Sequence, residues 1–406
     1  MLLWSSSALA QGSTKIGVAE EFWADAEWGA SFRMRHEQVD DNINEQANAT
    51  TARVTGHFQS GTVNDWSLFA ELEQVMAADT SSYIDGGANH VLDRASIADP
   101  VGFEINQLYA RYTGWDGMSL KLGRHKLGYR VPLQQRYLGS VSFRQKEQTV
   151  DGVSVEGAPR ERVEVQASYL FNVNRVFGED NPVPTRANLR LSGLAGRAAF
   201  EIMERGKVEG FLYHMDFEQA PAFSTLTLGG RVGGEGDLRA GIIFYAFEYA
   251  TQAGIGGNPT YDRSGYLFMQ TGMRWPDVND FAVQIVREAL GGDGNVSFKT
   301  PTATLHAFQG WTDRFLGTPA DGVIDTYGTL SATLGTTKVL FKLHSFNSDH
   351  DDYTYGMEWG AQVLFGFSQF SVGVKTARFT PDEKLLDEHP LNNETAKFWT
   401  WIQRKF

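Results

Sequence analysis

The stretch KVLFKLHSF, residues 338–346, decides which kind of fold this chain can form. Positions 339, 341 and 343 are apolar, whereas Lys338, Lys342 and His344 occupy alternate positions between and beside them. Successive side chains of a β-strand point to opposite faces, so the pattern predicts a strand with one apolar and one charged face. The stretch SFRMRHE, residues 31–37, repeats this pattern with arginines on the charged face.

Strand-like runs of this kind recur 18 times between residues 28 and 406. The connections between them alternate in length, with eight short ones rich in Gly, Pro, Asn or Asp and nine longer ones. The longer ones lie at 38–49, 77–102, 125–148, 172–189, 217–222, 250–261, 288–322, 348–354 and 378–394. A soluble sandwich or propeller has no reason to sort its connections by length, whereas a membrane barrel does.

Strand length also favours a membrane barrel. A tilted strand of roughly 9–11 residues crosses a bilayer, whereas strands of globular sheets are commonly about 5–6 residues long. No stretch approaches the roughly 20 consecutive apolar residues of a membrane helix. We therefore expect an all-β fold, a single transmembrane antiparallel β-barrel of about 18 strands with short periplasmic turns and long extracellular loops. Trp66, Trp115, Trp275 and Trp359 are candidates for the aromatic girdles at the membrane interfaces.

The final segment KFWTWIQRKF, residues 397–406, has the pattern of a closing strand. Pairing of the last strand with the first would leave no free sheet edge. Phe398, Ile402 and Phe406 would then face lipid. A terminal phenylalanine also resembles the signal that the barrel-assembly machinery of Gram-negative bacteria reads, so this machinery is an expected partner.

The first residues, MLLWSSSALAQG, end in a small-x-small pattern typical of signal cleavage sites. We interpret residues 1–10 as the residual part of a signal peptide, 11–27 as a periplasmic N-terminal segment and 28–406 as the barrel. The expected location is the bacterial outer membrane.

The net charge of -13 is concentrated in four long loops, 38–49, 77–102, 348–354 and 378–394. They hold 15 acidic residues against three basic ones. These loops are either a solvated surface or a place where divalent cations bind among lipopolysaccharide phosphates. Outer-membrane lipid and lipopolysaccharide are expected partners in either case.

Basic residues are prominent at the strand positions that face the predicted lumen. They are Arg33, Arg35, Arg53, Arg111, Lys121, Arg162, Arg197, Arg274, Lys338, Lys342 and Lys375. Arginines and lysines in a narrow lumen favour anions, because the low-dielectric wall focuses their field. The alternative is structural, since Glu71, Glu73, Glu164 and Glu201 are available to pair with these bases.

Residues 103–155 resemble the alginate-export family of outer-membrane barrels. The shared positions are Asn106, Gln107, Arg111, Tyr112, Gly123, Arg124, Arg136, Tyr137, Gly139, Arg144, Gln145, Glu147, Gln148, Thr149 and Asp151. A second segment, TPTATLHAFQGWTDRFLGTPADGVID at 300–325, is similar to a long loop of that family. His125 and the pair Ser142 and Phe143 depart from the family's pattern.

The resemblance implies an 18-stranded barrel with an arginine-lined constriction that passes alginate. By matching of motifs, Arg111, Arg124 and Arg144 are the implied constriction residues, with Asp151 as their ordering partner. The predicted pore-lining set is Arg33, Arg35, Arg53, Arg111, Lys121, Arg124, Arg144, Asp151, Arg274, Lys338 and Lys342.

We thus expect a channel for an anionic polysaccharide or oligosaccharide of the alginate type. The alternatives are a general anion or carboxylate porin, and a barrel that binds ligands through its surface loops without specific transport. The sequence contains no G-x-S-x-G or H-E-x-x-H motif, and its nine histidines fall in no ligand spacing, so we expect neither an enzyme nor a metal site. We also expect no cofactor and no nucleic acid partner. Loop 288–322 is long enough to fold inward as a plug.

Overall fold

The computed structural model describes residues 17–130, 135–260 and 262–406. They form one sheet of 18 antiparallel strands that closes on itself, because β1 pairs with both β2 and β18. The strands are β1 Glu27–Asp40, β2 Ala47–Gln59, β3 Trp66–Ala77, β4 Gly102–Trp115, β5 Met118–His125, β6 Thr149–Arg160, β7 Val163–Asn174, β8 Asn188–Met203, β9 Gly206–Phe217, β10 Thr225–Leu238, β11 Gly241–Gly254, β12 Arg263–Trp275, β13 Phe281–Leu290, β14 Val323–Leu334, β15 Thr337–Asn347, β16 Thr354–Phe367, β17 Phe370–Pro381 and β18 Thr395–Lys405. The predicted fold class is confirmed.

The closing strand behaves as its sequence predicts. Its register with β1 runs from Ser31 opposite Lys405 to Asp40 opposite Ala396, and Phe406 N–H donates to the carbonyl of Ala30 at 2.8 Å. All strand edges are therefore hydrogen-bonded, which a barrel in lipid requires. Phe398, Ile402 and Phe406 are exposed on the outer face, while Trp399 between them is fully buried.

Alternation along β15 separates an apolar outer face from a polar inner face. Phe341 and Leu343 are 41% and 45% exposed, whereas His344 is 3% exposed. Large exposed apolar side chains recur on the outer face of most strands, Leu68, Leu108 and Leu194 among them. In water this surface would be unfavourable, and in a bilayer it is the face that contacts acyl chains.

The connections are sorted by length, as predicted. Two-residue turns such as 116–117 lie at one end of the barrel, which we call the short-turn end. Its five-residue turn, 276–280, uses left-handed backbone, with φ of 54° at Asn279 and 50° at Asp280, a conformation that Asn and Asp adopt more readily than other non-glycine residues. The other nine connections, each of six residues or more, all lie at the opposite, long-loop end.

A short helix, α1 (Val18–Ala24), lies at the short-turn end. The predicted signal peptide, residues 1–10, and the first six residues of the predicted periplasmic segment, 11–16, lie outside the described residues. Gly61 N–H, in the turn after β2, donates to the Phe22 carbonyl at 2.8 Å. A Cβ at position 61 would lie 2.2 Å from the Glu21 carbonyl oxygen, so only glycine permits this contact. Within the described residues, no helix is long and apolar enough to span a membrane.

Replacing Gly61 with valine is expected to detach α1 from the barrel wall, because the new side chain cannot fit beside the helix backbone. The strand pairing of the barrel does not depend on the contact between Gly61 and α1, so the barrel should stay folded. Limited proteolysis within residues 17–26 measures the effect, with Gly56→Val as the control, since a Cβ at Gly56 meets nothing within 4 Å. Equal protection of α1 in both variants would contradict the prediction.

Two loops from the long-loop end fold into the barrel and pack against each other. We call them L3 (residues 126–130 and 135–148) and L7 (residues 291–322). Leu138 of L3 pairs with Thr302 of L7, whose hydroxyl donates to the Tyr137 carbonyl at 2.6 Å. Tyr137 in turn packs among aromatic rings of β9 and β12, with ring centroids 4.9 Å from Phe211 and 5.8 Å from Tyr266. The inward plug predicted for loop 288–322 is thus a joint structure of L7 and L3.

Candidate functional site: the constricted lumen

Two cavities of the lumen lie beside these loops. The outer cavity, ≈ 310 Å³, opens towards the long-loop end and is lined mainly by L7, L3 and the beginning of β18. The inner cavity, ≈ 510 Å³, opens towards the short-turn end and is lined by β1, β2 and the end of β18. Residues 141–148 of L3, which we call the constriction segment, contribute residues to both cavities and lie between them.

Two arginines of β1 hold the constriction segment in place. Arg33 donates to the Ser142 carbonyl at 2.8 Å, to Gln145 Oε1 at 2.9 Å and to the Arg144 carbonyl. Arg35 donates to the Phe143 carbonyl. The inward-facing arginines of this strand therefore shape the constriction through backbone carbonyls, which the sequence did not indicate.

The charge of Arg33 is not balanced by an ion pair with any acid in the described part of the chain. Its three acceptors are neutral carbonyl or amide oxygens. Arg35 and Arg53, in contrast, are buried and paired with acids. Arg35 contacts Asp99 and lies 3.4 Å from Glu37, and Arg53 is 2.6 Å from Glu73 and 3.2 Å from Glu147. Arg33 thus contributes net positive potential to the inner cavity.

Arg144 lies at the floor of the outer cavity and connects three parts of the chain. Its Nη1 is 2.9 Å from Glu37 Oε2 on β1, and its Nη2 is 3.1 Å from Asp313 Oδ2 on L7. The same Asp313 oxygen accepts from Lys397 Nζ of β18 at 2.7 Å. The constriction role that the family resemblance implied for Arg144 agrees with this position.

Asp313 is a point where positive groups converge. Burial opposes its ionisation, but His306, Lys397 and Arg144 together hold the pKa of this carboxyl well below its usual range. Burial lowers the pKa of His306 to about 3, against the opposing effect of Asp313 and aided by Lys375. His306 is therefore neutral, with Nδ1–H donating to Asp313 Oδ1 at 2.6 Å and Nε2 accepting from Lys375 Nζ at 2.7 Å.

Lys375 faces inward as predicted, but it is not open to the lumen. It is 4% exposed, and its Nζ lies 4.0 Å, 4.6 Å and 5.1 Å from the ring centroids of Trp311, Phe143 and Trp399. Cation–π contacts of this kind stabilise a desolvated ammonium. Lys375 therefore fixes L3 and L7 to the wall.

Three further predicted bases carry no ion pair within the described residues. Lys342 lies 5.4 Å from the Trp311 ring and 5.0 Å from the Tyr327 ring. Arg111 and Lys338 are exposed near the short-turn end. These side chains extend the positive lining of the lumen below the loops.

Three of the remaining predicted bases, Lys121, Arg197 and Arg274, have local partners. Lys121 pairs with Glu156 at 2.6 Å, and Arg197 with Glu209 at 2.8 Å. Arg274 lies 3.6 Å from both Glu235 and Asp280, a weak contact.

Arg162 does not belong to a strand: it lies in the turn between β6 and β7 at φ 63°. Its assignment to the lumen wall was wrong because a turn residue does not continue the alternation.

Arg124 and Asp151 do not lie where the family resemblance placed them. They pair with each other at 2.8 Å, and Arg124 also contacts Glu179 of the loop after β7. Arg124 stands opposite Leu108, which is 52% exposed on the outer face. Because opposite residues of an antiparallel pair share a face, Arg124 points away from the lumen. The predicted role of these two residues in the constriction is corrected accordingly.

Several residues that line or build the site were missed. Lys126, Arg130, Arg136, His306 and Asp313 belong to L3 and L7, where no strand period indicates direction. Arg130 reaches Glu209 at 2.9 Å and Glu248 at 2.8 Å across the barrel, and Arg136 is 3.2 Å from Glu288. For Lys397 a signal existed, since it directly precedes Phe398, which was predicted to face lipid.

The fold is similar to solved outer-membrane barrels. OccK3 (OpdO) of Pseudomonas aeruginosa matches with a TM-score of 0.72 and 10% identity over 96% of this chain and 97% of that one. OccAB2 of Acinetobacter baumannii matches with a TM-score of 0.73 and 10% identity over 95% and 99% of the two chains. The outer membrane protein opdK of Pseudomonas aeruginosa matches with 0.68 and 12% over 95% and 99%.

No protein-family model matches the sequence, and the comparison with curated proteins gives no significant match. The structural matches, at 10% to 12% identity, show the fold. The alginate-export resemblance receives no support from them. The chain therefore has the 18-stranded fold of outer-membrane porins, and the predicted outer-membrane location agrees with this fold.

Proposed function

We propose that this barrel is a passive outer-membrane channel for small anions, carboxylates in particular. One observation carries the proposal: both cavities have an excess of cationic side chains although the chain carries a net charge of -13. The outer cavity is lined by Arg144, Arg175, Arg314 and Lys397 against Asp41 and Asp313. On the lumen face, the inner cavity is lined by Arg33, Arg53, Lys126 and Lys405 against Glu71 and Glu147.

Anion passage through such a lumen requires no covalent step. Cationic groups in a low-dielectric channel lower the electrostatic barrier for an entering anion, and several weak sites in series let it leave again. Guanidinium groups add directional hydrogen bonds to carboxylates. Of the acidic residues in the four acidic loops, only Asp41 lines either cavity.

Small anions fit this lumen better than an alginate-type polymer does. A polymer in transit needs one continuous open path, whereas the constriction segment lies in the lumen between the two cavities and is hydrogen-bonded to Arg33 and Arg35 on the wall. A small anion needs only transient widening at this segment. The general anion porin, expected as the alternative, therefore becomes our main proposal. Lipopolysaccharide and the assembly machinery remain predicted partners.

The proposal is tested by the reversal potential of the refolded protein in a planar bilayer under a KCl gradient. We expect chloride to be preferred over potassium, and the preference to weaken in Arg33→Gln because the unpaired charge of Arg33 is lost. Arg287→Gln is the matched control: Arg287 also lacks an ion pair among the described residues, but it follows the outward-facing Ile285 at strand spacing and contacts Thr326.

Equal changes in both variants would show that the position of the charge is irrelevant. A wild-type channel that prefers potassium would exclude the proposed function. It would direct attention to the remaining alternative, a barrel whose surface loops bind ligands.

A further inference from the structure

The outer cavity contains an anion of its own. The carboxylate of Asp313 lines this cavity, and its side chain is 5% exposed. Its Oδ2 receives Arg144 Nη2 at 3.1 Å and Lys397 Nζ at 2.7 Å, and its Oδ1 receives His306 Nδ1 at 2.6 Å. Two cations and one neutral N–H donor arranged around a single carboxylate form a complete carboxylate-binding site.

Lys397 depends on Asp313 for its charge balance. Asp313 is the one acid with which it forms an ion pair in the described part of the chain. Arg144, in contrast, retains Glu37 as a second partner. Removal of the Asp313 carboxylate would therefore leave an uncompensated ammonium group facing the outer cavity, which another carboxylate could neutralise.

The loop backbone on both sides of Asp313 is anchored to the barrel wall. On one side, the Thr312 N–H donates to Glu358 Oε2 of β16 at 3.1 Å. On the other, the Phe315 ring lies 4.4 Å from Phe346 and 5.5 Å from Tyr355 between ring centroids. Asp313 itself has a left-handed backbone with φ of 63°, which costs free energy for a residue with a Cβ. These anchors hold the backbone, so that the side chain can rotate without displacement of the loop.

We propose that Asp313 is a tethered competitor for the translocating anion. It occupies the position beside Arg144 and Lys397 that an entering carboxylate takes, and an entering carboxylate passes by displacing it. Asp313 is then a specificity-determining residue: an anion that cannot engage both cations at once does not displace it. This inference rests on the proposed anion-channel function.

The test is block of the chloride current by glucuronate added on the long-loop side of a planar bilayer. Asp313→Asn keeps the size of the side chain and removes its charge. We expect the half-blocking concentration of glucuronate to fall roughly tenfold, the usual range for one charge-assisted hydrogen-bond partner gained. Asp313→Glu retains the tethered charge and should stay close to the wild type.

Asp41→Asn is the matched control. Asp41 lines the same cavity, but its carboxylate accepts from the N–H groups of Ile43 and Asn44 and from the Asn44 side chain instead of from Arg144 or Lys397. A general electrostatic effect would change block equally in both asparagine variants, and this outcome would overturn the inference. The tethered competitor predicts a change in Asp313→Asn alone.

A charge-balanced variant covers the case in which Asp313→Asn does not fold. Asp313→Asn combined with Lys397→Gln removes both members of the pair, and we expect glucuronate block no stronger than in the wild type. Stronger block in this double variant would overturn the inference, because the cation that should receive the anion is missing. Heat-modifiable migration on a denaturing gel verifies that each barrel is folded.

The outcomes also separate this inference from the proposed function. A wild-type channel that prefers chloride and is blocked by glucuronate, with an unchanged Asp313→Asn variant, would overturn the inference alone. A wild-type channel without anion preference would overturn both.

Discussion

Replacing Arg144 with alanine is expected to shift the selectivity of the channel from anions towards cations. The variant loses the cation at the floor of the outer cavity, while Glu37 and Asp313 keep their negative charges. Breaking a buried ion pair by removing one partner typically costs about 3–5 kcal/mol, so the packing of the constriction segment should also loosen. The reversal potential under a KCl gradient measures the shift.

Arg124→Ala is the informative comparison for this variant. It removes the same charge from a residue that the family resemblance implied for the constriction. Arg124, however, lies on the outer face of β5, where it pairs with Asp151 and Glu179. Its reversal potential should equal that of the wild type. An Arg124→Ala channel with altered selectivity and an Arg144→Ala channel without it would reverse our assignment of the constriction.

Replacing Glu358 with alanine is expected to release the tip of L7 and raise the single-channel conductance. Glu358 is 2% exposed, and its carboxylate accepts from the backbone N–H groups of Trp311 and Thr312 and from the Thr312 hydroxyl. Without it these buried donors have no acceptor in the wall, at about 1–3 kcal/mol for each. Gly310, whose φ is 81°, lies so close that a Cβ there would be 2.5 Å from Glu358 Oε2.

Trypsin cleavage after Arg314 reports this release independently of conductance, because Arg314 follows the freed tip. Glu358→Gln is the control, since an amide oxygen still accepts hydrogen bonds. It should remain closer to the wild type in both measurements. If Glu358→Ala retained wild-type conductance and resisted trypsin as the wild type does, the contacts of L7 with β16 would not hold the loop.

Alternation along the strands predicted the inward direction of Arg33, Lys338, Lys342 and Lys375 from a period of two. The same period, counted from the inward-facing Lys121, places Arg124 on the outer face, as the structure does. The family resemblance led to the opposite assignment, because a shared motif records which residues recur and not which way they point. Where the two arguments disagreed, the local geometry of the strand was the better guide.

The pairing of charges was not predictable in the same way. Arg53 and Lys375 have similar sequence settings, in that both alternate with apolar residues on a strand. Arg53 is paired with Glu73 and Glu147, whereas Lys375 is enclosed by three aromatic rings. Their partners come from a neighbouring strand, from L3, from L7 and from β18, at distances along the chain that no local pattern encodes.

The sequence by itself determined the barrel: the number of its strands, the sorting of its connections, the apolar outer face and the closing strand. These features follow from a two-residue period and from turn composition, both of which act between neighbours in the chain. Only the tertiary structure decided the constriction. Arg144 and Asp313 are 169 positions apart in the chain and form an ion pair because L3 and L7 enter the same lumen. A buried charge is stable only when it is paired, and its partner can come from any part of the chain that the closed barrel brings near.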